Sequence, residues 1–226
     1  HYIMPIGISF YTLAALSYII DVKNETIEAD DNLGRLMLYL SFFPSIMEGP
    51  ISRYKDTATK LYSGAPISYR NLTNGYQRIL FGMLKKMVVA DRLNIIVKNI
   101  FSNYPSVGGA IILAGAIFYT IQLYMDFSGT IDIVIGSAEI FDVKLPENFK
   151  QPFFSKNISE FWTRWHISLG AFLRDYIFYP LSLSKPLKKL TAWGRKRFGN
   201  YFGPLLSGAL ALLVVWLLNG LWHGAA

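Results

Sequence analysis

Two histidines stand inside this chain of 226 residues, and a third, His1, begins it. His166 lies in "SEFWTRWHISLG", residues 159–170, and His223 lies in "NGLWHGAA", residues 219–226. Each directly follows a tryptophan, Trp165 and Trp222. Imidazole takes up and releases a proton near neutral pH. As a general base it speeds proton-transfer-limited chemistry about 10²–10⁴-fold. An alcohol attacking a thioester needs such a base, because a neutral hydroxyl is a weak nucleophile. The other reading of each histidine is a packed ring making one structural hydrogen bond. Where the surroundings are a membrane, an ionisable group is costly and function becomes the default hypothesis.

Other chemistries find little support. The chain has no G-x-S-x-G elbow, no H-E-x-x-H and no Walker A loop. It has no cysteine, so disulfide and thiolate chemistry are excluded. A zinc site wants three or four ligands, and two internal histidines without cysteine make a metal site unexpected. Asp126 and Asp132 sit among apolar residues in "YMDFSGTIDIVIGSAEIFDV", residues 124–143. Their cost suggests a proton path or a basic partner. Alternatively they lie at a helix end, because Ser128 and Gly129 could break the helix between them. Asp132 is expected at such an end, and Asp126 stays open.

The elements that must position these groups are apolar. The chain is 52% hydrophobic and 16% charged, whereas about a quarter of a soluble domain is charged. Residues 2–20, 107–125 and 201–222 are three runs without a charge. Each is about long enough to cross roughly 30 Å of hydrocarbon as a helix. A cleaved signal peptide does not explain runs that are internal. The fold class expected is all-α, polytopic membrane. The segment "SKPLKKLTAWGRKRFGN", residues 184–200, holds six of the basic residues behind the net charge of +7 and no acid. It reads as a cytoplasmic loop facing anionic lipid headgroups rather than nucleic acid. The span that follows it would carry His223 toward the outer half of the membrane.

Between the runs the pattern is broken. Residues 21–31 are a polar loop, and the apolar stretch after them is stopped by Pro44, Gly49 and Pro50, which predicts a short or broken helix. Residues 69–101 predict an amphipathic helix lying in the interface. Residues 144–157, with two prolines, predict an extended connector. Asn157 and Glu160 have capping-box spacing and predict a helix from there to Pro180. That helix would align Trp162, His166, Leu169 and Leu173 on one stripe. Its charges, Arg164, Arg174 and Asp175, predict a re-entrant or interfacial placement. No repeat or linker divides the chain, so residues 1–226 read as one membrane-embedded domain. The missing initiator Met and the end just after "WHG" read as an internal fragment that lacks N- and C-terminal helices.

The stretches "MPIGISFYTLAALSYIIDV", "FFPSIMEGPISRY", "YMDFSGTIDIVIG", "PENFKQPFFSKNISEFWTRWHISLGAFLRDYIFYPL" and "NGLWHG" resemble the membrane-bound O-acyltransferase family, most of all its bacterial alginate O-acetylation branch. The D-alanyl transfer proteins of teichoic acid modification are more distant in likeness. The resemblance implies a multi-helix bundle in the bacterial inner membrane, passing through it several times, with a tunnel that brings an activated acyl group to a hydroxyl. It implies that His223 is the catalytic histidine and His166 the second polar group of the site, a position often held by asparagine in the wider family. Trp162, Trp165, Trp222 and Asp126 are the candidates for the acyl pocket or tunnel. No bound cofactor or metal is implied. The acyl donor is a co-substrate, acetyl-CoA or an acyl carrier, and the partners are membrane lipid and a polysaccharide or an acyl-relay protein, with no nucleic acid. The acyl group expected is acetyl. Two other classes compete: a transporter or flippase using the buried Asp126, Asp132 and histidines as a proton relay, and a structural membrane protein for which both histidines are dispensable.

Overall fold

The computed structural model describes residues 7–224. The first five residues of the apolar run 2–20, and His1, lie outside the described residues. Helices α1 (Ile8–Lys23), α2 (Leu33–Leu40), α3 (Phe43–Ile46) and α4 (Tyr54–Tyr62) come first. Helix α5 (Tyr69–Met83) runs through a π turn (Leu84–Ala90) into α6 (Asp91–Ser102). Helix α7 (Gly109–Ile140) is followed by the short helices α8 (Ile158–Arg164), α9 (Ile167–Leu173) and α10 (Tyr179–Ser182), and by α11 (Lys185–His223). The chain is all-α, of polytopic membrane type. Among the described residues two helices, α7 and α11, are long and apolar enough to cross a bilayer. The expected break at Pro44, Gly49 and Pro50 is there: α2 has 8 residues and α3 has 4, too few to cross.

Helix α7 is continuous for 32 residues, so the expected helix end between Asp126 and Asp132 is overturned. Ser128 and Gly129 serve packing instead. A Cβ added to Gly82 would lie 2.5 Å from the Gly129 carbonyl oxygen, and one added to Gly75 would lie 2.5 Å from that of Gly136. The two pairs run antiparallel at seven-residue spacing on both helices. They bring the α5 and α7 backbones into contact, as small residues do where lipid offers no hydrophobic drive for association. Charges on the same interface are paired. Asp132 accepts from Arg78 at 3.0 Å and from Lys85 at 2.6 Å, Arg78 also reaches Glu147 at 2.6 Å, and Lys86 pairs with Asp126. Lys85 and Lys86 are sequence neighbours in the π turn, yet reach carboxylates six positions apart on α7. Beside them Phe42, Ile131, Val134, Ile135 and Ala138 form the larger buried core.

The basic segment is not a loop. Residues 185–198 form a helix that starts with Pro186 in its first turn, where the missing N–H costs nothing. The chain then reverses at Gly199, whose φ of 79° and ψ of 177° only glycine adopts readily. Residues 200–223 return antiparallel, with the Thr191 and Ser207 hydroxyls 2.6 Å apart. Helix α11 is thus a hairpin of a basic arm and an apolar arm. Leu, Lys, Arg and Ala are good helix formers, so charge alone does not make a loop of this stretch.

Candidate active site

The predicted helix from 158 to 180 is broken in the middle, at the residue of interest. Its start is as expected: the Asn157 side-chain oxygen accepts the Glu160 N–H at 2.8 Å. The Glu160 carboxylate accepts the Lys156 N–H rather than that of Asn157, and also pairs with Arg164. Helix α8 then ends at Arg164. Trp165 is extended, at φ −110° and ψ 128°, and His166 is left-handed, at φ 46° and ψ 50°. The cause lies in the connector. Phe149 and Trp165 face each other as an antiparallel bridge. The Lys150 N–H donates to the Arg164 carbonyl and the Ile167 N–H to the Asn148 carbonyl, both at 3.0 Å. Those two bonds take the place of helical ones and turn the chain at His166. A left-handed residue other than glycine costs roughly 1–2 kcal/mol, which the surrounding contacts must offset.

Asn148 and Ser168 hold this turn. The Asn148 side-chain oxygen accepts the Ser168 N–H at 2.9 Å and its hydroxyl at 2.8 Å. The Ser168 hydroxyl oxygen in turn accepts the Ile51 N–H at 2.9 Å. Below the turn, Leu169 and Phe172 pack with Ile51 in a second core, against Leu13, Tyr176 and Trp222. Tyr176 donates to Asp21 of α1 at 2.9 Å, and Arg53 pairs with Asp175.

His166 and His223 meet at one ring. Trp222 lies 6.4 Å from His166 and 4.7 Å from His223, centroid to centroid. Trp222 is itself fixed by Phe10 at 5.6 Å, edge to face, and its indole N–H donates to the Ser9 carbonyl at 3.4 Å. His166 is 8% exposed and His223 is exposed. His166 lies outside the two long apolar helices. Burial first, and then the nearby His223 imidazole, push its titration below the ordinary histidine range, which keeps it neutral at pH 7. Its Nδ1 is buried and has no hydrogen-bond partner among the described residues.

The other candidates are dispersed. Trp165 stacks on Phe161 at 5.7 Å and packs against Phe149 at 5.1 Å. Trp162 rests on Trp216 of the apolar arm at 5.1 Å. The single stripe from Trp162 to His166 does not form, because the left-handed turn rotates His166 away from it. Asp126 faces Lys86, and its neighbour Phe127 is the residue that touches His166, at 4.8 Å. Among the described residues neither Asp126 nor Asp132 bonds to a histidine; basic side chains hold both. Asn148 and Ser168 were not singled out by the sequence. The available signal was an asparagine set between Pro146 and Pro152 in an extended segment, which is free to pair with another strand-like stretch.

A helical membrane architecture with two imidazoles against one indole defines a class, that of helical membrane proteins with two histidines drawn to one ring. Comparison with known proteins narrows it. The model of the membrane-bound O-acyltransferase family matches residues 31–192, which include His166. The chain belongs to the membrane-bound O-acyltransferase family. It is similar to a protein named probable alginate O-acetylase AlgI from Pseudomonas syringae pv. tomato, 37% identical over 99% of this chain and 42% of that protein. It is also similar to the peptidoglycan O-acetyltransferase of Helicobacter pylori, at 30% over 100% of this chain and 44% of the other. The teichoic acid D-alanyltransferase of Bacillus subtilis is 30% identical over 98% of this chain and 54% of its own length. The chain spans about half the length of these relatives, or somewhat less.

Proposed function

We propose that the protein moves an acyl group, in the form of acetyl, onto hydroxyls of an exported or cell-wall polysaccharide, directly or through an acyl-relay protein. The observation that carries this reading is the convergence of His166 and His223 on Trp222 in a chain of this family. The donor would be a thioester, acetyl-CoA or an acyl carrier. His223, the exposed imidazole, takes the proton of the acceptor hydroxyl as its oxygen bonds to the acyl carbon. The carbon–sulfur bond breaks, and the proton passes from His223 to the leaving sulfur, which departs as a thiol. His166 is neutral and buried, and its free Nδ1 orients the acyl group or assists the proton. Trp222 forms the wall between the two. Trp162, Trp165 and Asp126 line the approach rather than the reacting centre.

In this reading residues 1–226 are one domain of a multi-pass protein of the bacterial plasma membrane, among its lipids, and the basic arm 185–198 faces the cytoplasm. His223 then lies about 30 Å from Gly203, at twenty residues of 1.5 Å rise, toward the outer half. Single cysteines at Lys196 and Gly224 of the full-length protein should be labelled from opposite sides; equal labelling from the cytoplasm would refute the orientation. The ion pairs of Asp126 and Asp132 disfavour a proton relay in a transporter. Mass analysis of surface glycans, with and without the full-length protein, tests the activity. Unchanged O-acetylation would end the acyltransfer reading.

A further inference from the structure

We propose that Asn148 and Ser168 are positioning residues, forming a clasp that sets the orientation of His166 for acyl transfer. The inference rests on the acyltransfer reading of the site.

A fold that needed only a turn at position 166 could use glycine, which enters the left-handed region freely. Here an imidazole occupies that conformation, so something must hold it there. The backbone carbonyl of Asn148 takes the N–H just after His166, and its side-chain oxygen takes both hydrogens offered by Ser168. One residue therefore grips the chain at 167 and 168. It is fully buried.

The chemistry of the clasp points the same way. The Asn148 amide nitrogen is buried without a partner among the described residues. An unpaired buried amide is costly, so a role in packing alone does not favour asparagine here. The side-chain oxygen is what the turn uses. Ser168 extends the clasp to the Ile51 N–H, which joins the loop before α4 to the connector and to the turn. Two separate segments thus converge on residues 167 and 168, directly after His166. Among the described residues the ring has two aromatic neighbours, Phe127 at 4.8 Å and Trp222 at 6.4 Å, and the clasp fixes the base of the side chain between them. Loss of the clasp would let residue 166 leave the left-handed region, swinging the ring away from Trp222.

The test uses the full-length protein purified in detergent, with an acyl thioester donor and an oligosaccharide acceptor. The variants are His166→Ala, Ser168→Ala, Asn148→Ala and the pairs of each clasp variant with His166→Ala. Ser168→Ala is the milder change, since it leaves both backbone bonds of the turn in place. It should lower kcat about 10-fold with little change in KM, because it disturbs a group acting in the transition state. Asn148→Ala should do more. In the His166→Ala background each clasp substitution should cost less than a further 2-fold, since residues acting as a unit are not additive. Thermal midpoints separate unfolding from misplacement, and Ser168→Ala alone decides if Asn148→Ala does not accumulate. Full activity in Ser168→Ala, or an undiminished clasp effect on top of His166→Ala, overturns the proposal while leaving the site intact. Full activity in His166→Ala itself overturns the reading of the site, and the clasp with it.

Discussion

The edge of Phe127 meets the ring of His166 at 4.8 Å and 87°. The buried imidazole thus rests on α7, and its other neighbour, Trp222, belongs to the apolar arm of α11. Two long helices hold one small ring. Phe127→Leu keeps most of the volume and removes the edge-to-face contact, worth about 0.5–1.5 kcal/mol. Acyl transfer should fall by a few fold while the protein still accumulates. Assay of the purified variant checks this, and unchanged turnover would release α7 from any part in the site.

His223→Ala should lower turnover by about 10²–10⁴-fold, the usual contribution of a general base, with folding intact. His166→Ala should impair it less. The double variant should be little worse than His223→Ala alone. The readout is O-acetyl release from surface polysaccharide at equal protein level. Near-normal acetylation in the His223→Ala strain would end the assignment.

The burial of His166 also has a thermodynamic consequence. Its folded-state titration lies below the ordinary value, mainly through desolvation and secondly through His223. Below about pH 6.5 the unfolded chain binds this proton more readily than the folded one. The contribution is therefore present above that pH and is lost as the pH falls. His166→Gln should flatten the acid side of the plot of thermal midpoint against pH relative to the parent. Parallel curves for the two proteins would contradict it.

The two aspartates of α7 should respond unequally. The Asp132 side chain is 13% exposed and serves two cations, whereas that of Asp126 is 41% exposed and serves one. Removing one partner of a buried pair costs about 3–5 kcal/mol, while an exposed pair is worth about 0–1 kcal/mol. Asp132→Ala should lower the thermal midpoint strongly and Asp126→Ala little. Asp126→Ala should lower acyl transfer only partly, as for a residue of the approach; complete loss in a folded protein would revive the relay reading.

The helix contact at Gly82 gives a steric test. A side chain there must displace the α7 backbone at Gly129. Overpacking of this kind costs about 1–3 kcal/mol. Gly82→Val should reduce accumulation and the thermal midpoint, and Gly108→Val, in open space, should not. Equal stability of the two variants would rule out close packing.

Much of this was legible in the sequence, and the parts that were not have a common cause. Apolar runs mark α7 and the second arm of α11, because length and lack of charge are properties of a single segment. Pro44, Gly49 and Pro50 likewise mark their own break. The turn at His166 has no such mark: Trp165, His166 and Ile167 include neither glycine nor proline, and the helix is broken by pairing with residues 148–150. The paired state of Asp132 depends on Arg78, which is 54 positions away. The hairpin at Gly199 was hidden by charge, since six basic residues read as a loop before their helix propensity is weighed.

The indole of Trp222 donates to the carbonyl of Ser9 across 213 positions. Closing so long a span carries an entropic cost that grows only slowly with length, but it fixes an order in time. During synthesis α1 reaches the membrane long before Trp222 exists, and the clasp between 51, 148 and 168 can close earlier. Of the groups that meet around His166, Trp222 and His223 are therefore made after the others. Until they are made, His166 sits in its turn without the indole that this bond seats beside it.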